Sequence, residues 1–272
     1  MSAIFAPSLP RPRRILAIAG WAGLGVVALA VTMSDFLAHA PANELHAGPM
    51  LAPPSGQFPF GTDLVGRDLL SETLHALSVT ATAGVEAAVV AILAGGFLGY
   101  MSAHLPKPAG LVLHWAFAVF AAIPALLLAI VLIGLTSHGI SALAAGLAAA
   151  PLAFVRAFDR SSRAGGARHA DYARATGVSA SMLLRRDLAY EFRDMFLPIV
   201  ARAFASVTIT LSTLSFLGFG ATPPHRDLGL MIGAAWPNYL EAWWTAGFPA
   251  LTLVILILLA RLAAGLDEGE RP

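Results

Sequence analysis

Residues 156–193 read RAFDRSSRAGGARHADYARATGVSASMLLRRDLAYEFR. This is the only long polar segment after the first quarter of the 272-residue chain, and it holds eight of the seventeen Lys and Arg residues. Strongly apolar sequence flanks it on both sides. At its centre Asp171-Tyr172-Ala173-Arg174-Ala175-Thr176-Gly177 forms a short helix-like run that stops at a glycine. Ser179 or Ser181 can cap a second helix. In that helix Leu184, Leu188, Phe192, Met195 and Phe196 fall on one apolar stripe. A short protruding helix of this kind can seat in a groove on another protein. A basic block beside a membrane also sets topology and touches lipid headgroups, and charge alone does not choose between these readings.

Working outward, the composition is 57% hydrophobic and 12% charged, with mean hydropathy +0.73. Soluble domains carry about 25% charged residues, so the chain falls in the membrane class. There is no cysteine, which excludes disulfides, thiol catalysis and cysteine metal sites. The single lysine, Lys107, follows Pro106, so no G-x-x-x-x-G-K-[ST] phosphate loop exists in the chain. No nucleic-acid partner is expected.

Residues 1–14 read as a Pro-rich, basic cytoplasmic tail. Residues 15–33 are an uncharged run of 19, long enough for a first span and longer than a signal-peptide core. The polar, Pro-rich segment 34–77 argues against a long helix and holds FGTDLVGRDLLSETL, Phe60 to Leu74. From spacing alone, this stretch is a turn at Gly61-Thr62-Asp63 followed by a helix start. Residues 78–265 hold five more spans, around 79–101, 111–135, 140–154, 196–216 and 248–264, with the polar loop 156–195 between the fourth and fifth. Residues 266–272 form a short charged tail.

Several features inside these spans invite a reading. Gly95, Gly96 and Gly99 form a small-residue face in the second span that lets helices approach closely. Glu86 in the same span either faces a cavity or partner, or lies about two turns in from the outer interface and is wet. Pro124 interrupts the third span. The fourth span is Ala-rich, which suits the bundle interior. Trp236, Trp243 and Trp244 suit the membrane–water interface.

Six spans place fourteen basic residues on one side, Arg67 and Arg226 on the other, and Arg202 at the start of the fifth span. This positive-inside split puts both termini in the cytoplasm, and adding or removing one internal span would scramble it.

These residues resemble a family: the membrane subunit of bacterial binding-protein-dependent ABC importers, and within it the second permease of the dipeptide, oligopeptide and nickel group. Gly61-Thr62-Asp63-Leu64-Val65-Gly66-Arg67-Asp68 matches that group's G-T-D-x-x-G-R-D. Leu214-Ser215-Phe216-Leu217-Gly218-Phe219-Gly220, then Pro223-Pro224 and Gly229, resembles its L-S-F-L-G-L-G…P-P…W-G-x-M stretch. The polar loop resembles the cytoplasmic E-A-A-x-x-x-G motif, with Asp171 for the glutamate and Tyr172 for the first alanine, while Ala173 and Gly177 are kept. His225-Arg226-Asp227-Leu228 also departs from the usual residues before Gly229.

The resemblance implies an all-α integral membrane protein of the bacterial inner membrane. Its fold would be a type I ABC importer transmembrane domain with six helices and a cytoplasmic coupling helix. It implies a non-catalytic subunit paired with a homologous permease in a heterodimer. Two cytoplasmic ATPases would hold the ATP and Mg, a periplasmic binding protein would deliver substrate, and lipid would surround the spans. ATPase coupling falls to Asp171, Tyr172, Ala173, Arg174 and Gly177, and Glu86, Ser215 and Gly218 are candidates for the pathway. No metal site or cofactor is expected in this chain. Peptides lead as substrate, with nickel or a metal–metallophore complex as the alternative. A secondary transporter would need intramembrane ionisable groups, and only Glu86 and Arg202 qualify. An intramembrane enzyme would need a motif such as H-E-x-x-H, which is missing.

Overall fold

The computed structural model describes residues 11–34, 48–135, 140–163, 198–221 and 225–265. These residues are helical or looped; the one β-bridge among them pairs Thr62 with Asp68. The helices are α1 (Arg11–Thr32), α2 (Leu69–Ser102), α3 (Lys107–Ala121), α4 (Ala125–Leu135), α5 (Ser141–Arg163), α6 (Pro198–Phe219), α7 (Leu228–Ala235) and α8 (Trp244–Ala263). Five of them (α1, α2, α5, α6 and α8) are long and apolar enough to cross a membrane, and α3 with α4 makes a sixth if the bent pair counts as one span.

The third expected span, 111–135, is two helices. They meet at an 86° bend across Ala122-Ile123-Pro124. Pro124 has no N–H to continue the ladder of α3, and its carbonyl starts α4 by accepting from Leu127 and Leu128. The second expected span is longer than its apolar core. Helix starts at Leu69 rather than Val79, because Asp68 caps it and the polar first turns extend beyond hydrocarbon. At 1.5 Å per residue its 34 residues reach about 50 Å, against about 30 Å of hydrocarbon.

α5 is the centre of the bundle, packing against α2, α3 and α4. Its alanines at 144, 145, 148 and 150 are buried. α2 meets α5 through Gly95 and Gly99: a methyl on Gly95 would collide with the Ala150 carbonyl, and one on Gly99 with the Phe154 carbonyl. Gly96, the third glycine of the expected face, points elsewhere, and a methyl there would find only Ile92, 3.9 Å away. A π-helical segment, Ile92–Phe97, rotates the register within this seam. α1 lies along α8, where Trp21 and Leu24 cover Ala263 and Ala264.

Candidate functional site

At the end of the bundle where α2 begins, residues 48–68 and the α6–α8 connection form a cap. Gly61 turns the chain with φ +80, and a side chain there would strike the Ala52 carbonyl and the Trp244 ring. Thr62 is fully buried. Its hydroxyl accepts from the Ala52 N–H at 2.8 Å and donates to the Pro49 carbonyl. The Asp63 carboxylate accepts from the backbone N–H groups of Val65 and Arg67, both at 2.9 Å, which closes the loop over Gly66. Asp68 caps α2 by accepting from the Leu70 and Ser71 N–H groups and from the Ser71 hydroxyl. The GTDLVGRD stretch is therefore a turn followed by a capped helix start, as its spacing suggests.

The cap binds that start to sequence far away. Glu72, one turn into α2, is 6% exposed. One of its oxygens accepts from Arg67 Nη1 at 2.9 Å and the other from Arg226 Nη1 at 3.0 Å. Arg226 also lies 3.7 Å from Asp63. Asp227 caps α7 by accepting from the Leu230 N–H at 3.0 Å, and its second oxygen accepts from the Ala221 N–H at 2.9 Å. The Leu228 N–H donates to the Thr80 hydroxyl at 3.0 Å, and Trp244 Nε1 donates to the Thr62 carbonyl at 3.3 Å. A cavity of about 230 Å³ opens beside this cluster, lined by Asp63, Arg67, Glu72, Arg226, Asn238 and Thr245 among others. All six expected motif residues (Gly61, Thr62, Asp63, Gly66, Arg67 and Asp68) lie in this one unit.

Glu72, Thr80, Arg226, Asp227 and Trp244 carry the unit's long-range bonds and were not among the expected site residues. One signal for the ion pairs was available. Arg67 and Arg226 are the only basic residues that the span count assigns to this side, so nearby carboxylates were their natural partners. Trp244 is 8% exposed inside the cap, whereas Trp236 and Trp243 are 63% and 57% exposed as interface residues would be.

The three pathway candidates are not brought together. Glu86 sits at the middle of α2, about 25 Å from either helix end, and about two turns past Ser78, where the polar first turns of the helix give way to apolar sequence. It is exposed, on one face with Thr82, Val85, Val89 and Leu93. Gly218 is exposed too, in a π-helical end of α6, Ser215–Phe219, where its φ of +90 breaks the helix. Ser215 is buried instead, beside a void of about 50 Å³ shared with Thr80, Ser212 and Asp227. The coupling candidates Asp171, Tyr172, Ala173, Arg174 and Gly177 lie outside the described residues. Among the described residues no three His, Asp or Glu side chains converge as a metal site.

Comparison with known proteins bears on this arrangement. The chain is 29% identical over 236 residues to the di/tripeptide transport system permease protein DppC of Pseudomonas aeruginosa, covering 82% of this chain and 77% of that protein. It is 27% identical over 270 residues to the dipeptide transport system permease protein DppC of Escherichia coli, covering 94% and 88%. It is 26% identical over 259 residues to the Haemophilus influenzae protein of the same name, covering 91% and 87%. Residues 91–267 match the family described as binding-protein-dependent transport system inner membrane component. The chain belongs to that family, the inner membrane components of binding-protein-dependent transport systems.

Proposed function

We propose that this permease subunit carries short peptides inward across the bacterial inner membrane, driven by separate ATPase subunits. The observation that carries the reading is the cap. The two stretches that mark the peptide and nickel group, 61–68 and 214–229, meet there: Arg226 lies 3.7 Å from Asp63, and Arg67 and Arg226 both donate to Glu72. The choice of peptides is supported by relatives named for dipeptide and di/tripeptide transport.

In this reading the chain is half of the path. Glu86 gives the direction of the other half. An exposed carboxylate within a span is costly against lipid, up to about 2.5–3.5 kcal/mol or more at the bilayer centre. The face with Thr82 and Glu86 is therefore covered by a homologous permease or lines the water-filled path. The arginine-rich end lies in the cytoplasm with both termini, as the positive-inside split requires. The Asp171–Gly177 stretch docks on an ATPase, and a periplasmic binding protein delivers the load at the cap. The chain has no phosphate loop, so energy enters through a protein contact, at an element whose position differs between two states.

The test is uptake of a radiolabelled dipeptide by cells lacking the chain, complemented with wild type or variants. Wild type restores uptake. Asp171→Arg and Gly177→Pro insert into the membrane but lose both uptake and ATPase co-purification. Dipeptide uptake unchanged by the deletion would remove peptides as the load, and normal co-purification in both variants would remove the coupling assignment.

A further inference from the structure

A second cavity, of about 150 Å³, lies at the arginine-rich end of the bundle between α2, α5 and α6. Arg156 and Arg160 from the last two turns of α5, and Arg202 from α6, reach its rim. Arg160 and Arg202 are half-buried and Arg156 is exposed. The walls are apolar, with Ile92, Leu152 and Val207 among them. No Asp or Glu is among its described lining residues. We infer that this cavity binds the headgroup of an anionic phospholipid from the adjacent leaflet, with an acyl chain along the exposed Leu152 and Ile199. The cytoplasmic placement of that leaflet rests on the topology proposed above.

Four observations lead to this occupant. Guanidiniums from two helices at one void, Arg156 of α5 and Arg202 of α6, match the planar, bidentate recognition of phosphate oxygens. The void is smaller than the ~300 Å³ at which pockets begin to enclose a whole small molecule, so it takes the head of a ligand whose remainder lies outside. Its place fits: Gly96 is six residues, about 9 Å, from the end of α2 and Arg160 three residues from the end of α5, so the void lies toward one end of both helices and not at their middle. A peptide zwitterion would also present an ammonium, and the described lining offers it no carboxylate. Basic pockets between spans on the cytoplasmic side are a recognised form of anionic-lipid site.

Gly96 provides a probe that leaves the charges alone. It lines the cavity, and a side chain there meets nothing closer than Ile92 at 3.9 Å. Gly96→Leu therefore fills the void without disturbing the α2–α5 seam. The experiment is native mass spectrometry of the detergent-purified full chain, titrated with phosphatidylglycerol or phosphatidylcholine. This readout needs neither transport nor a known orientation, so it can fail while the importer reading stands. Phosphatidylglycerol should be retained in preference. Arg156→Gln and Arg202→Gln should each weaken retention about fivefold, the factor equivalent to ~1 kcal/mol per basic residue at an anionic surface. Gly96→Leu should abolish retention with all three arginines in place. Equal retention of both lipids, wild-type retention by Gly96→Leu, or displacement of phosphatidylglycerol by a dipeptide would overturn the assignment; the last would make the cavity part of the substrate path.

Discussion

Replacing Glu72 by Gln removes the charge that holds two guanidiniums in the cap. The side chain is 6% exposed, and its partners Arg67 and Arg226 are 19% and 31% exposed. Each oxygen accepts one charge-assisted hydrogen bond, at 2.9 and 3.0 Å. Such bonds contribute about 1.5–3 kcal/mol each, with the lower figure for the more solvated Arg226. Gln keeps one acceptor oxygen, but it leaves Arg67, whose Nε is buried without a partner, beside a second cation. The expected loss is about 3 kcal/mol of resistance to cap opening, within the range for breaking a buried pair from one side. Arg226→Gln should cost less, about 1.5 kcal/mol, because it leaves Glu72 paired with Arg67. The assay is hydrogen exchange of the cap amides, such as Leu51, Thr62 and Leu69, in lipid nanodiscs. Opening made easier by about 3 kcal/mol accelerates exchange about 150-fold. The double variant should fall short of the sum by at least ~1 kcal/mol, since the two residues share one contact. Exchange within threefold of wild type, or strict additivity, would refute the view that this contact holds the cap shut.

Three further outcomes follow from the packing. Gly99→Leu should prevent α2 from seating on α5, because even a methyl collides with the Phe154 carbonyl, whereas Gly96→Leu should shift thermal stability in nanodiscs by less than about 0.5 kcal/mol. Gly218→Ala should cost about 1–2 kcal/mol through backbone strain alone, since φ is +90 and a methyl meets nothing within 4 Å; a folded protein with a lowered melting temperature is the expected result. Trp244→Phe keeps the ring but loses the donor to Thr62, about 1 kcal/mol, and should speed exchange about fivefold at the amides that Glu72→Gln affects.

The sequence made the membrane class and the charge asymmetry plain, because bilayer thickness and charge placement act on composition directly. It was less able to locate edges. The first ten residues of α2 are polar enough to pass for a loop, yet a helix that projects beyond hydrocarbon needs a cap and not an apolar surface, and Asp68 supplies that cap. Pro124 was visible as an interruption, but its missing N–H says only that the ladder is broken, not that the two halves turn by 86°. Of Gly95, Gly96 and Gly99 in α2, two carry the contact with α5 and one lines a cavity; the π segment between Ile92 and Phe97 shifts the register that simple helical spacing assumes. The Glu72–Arg226 bond joins residues 154 apart, and nothing in a single sequence pairs them. Trp244 looked like its neighbour Trp243 because both are tryptophans near a span end, and only the Thr62 carbonyl within reach of its N–H separates them.

The two seams of α2 differ in what it takes to part them. Lipid tails are as apolar as the helices, so burial from water contributes little to the α2–α5 seam; close backbone packing at Gly95 and Gly99 holds it, and a void opened there gains no solvent to fill it. The cap is held by the opposite kind of interaction. Glu72, Arg226 and Asp63 sit at the end of the helix, Arg226 is about a third exposed, and water can replace each of their bonds as they separate. Parting a pair into water costs far less than deleting one member, because neither charge is left buried. α7 reinforces the contrast. It presses Gly229 against the Ser212 carbonyl of α6 while the Leu228 N–H reaches Thr80 on α2, bridging the two helices beside a void edged by hydroxyl groups. The Thr208 and Ser212 hydroxyls in this region have no partner to lose on separation. A displacement that enters α5 at its arginine-rich end is thus carried into α2 through a seam that resists opening. It reaches the cap about 50 Å away, where the bonds can exchange with water. A change of state in this subunit is therefore cheapest as a movement of α2 and α5 together, with the cap as the place that gives.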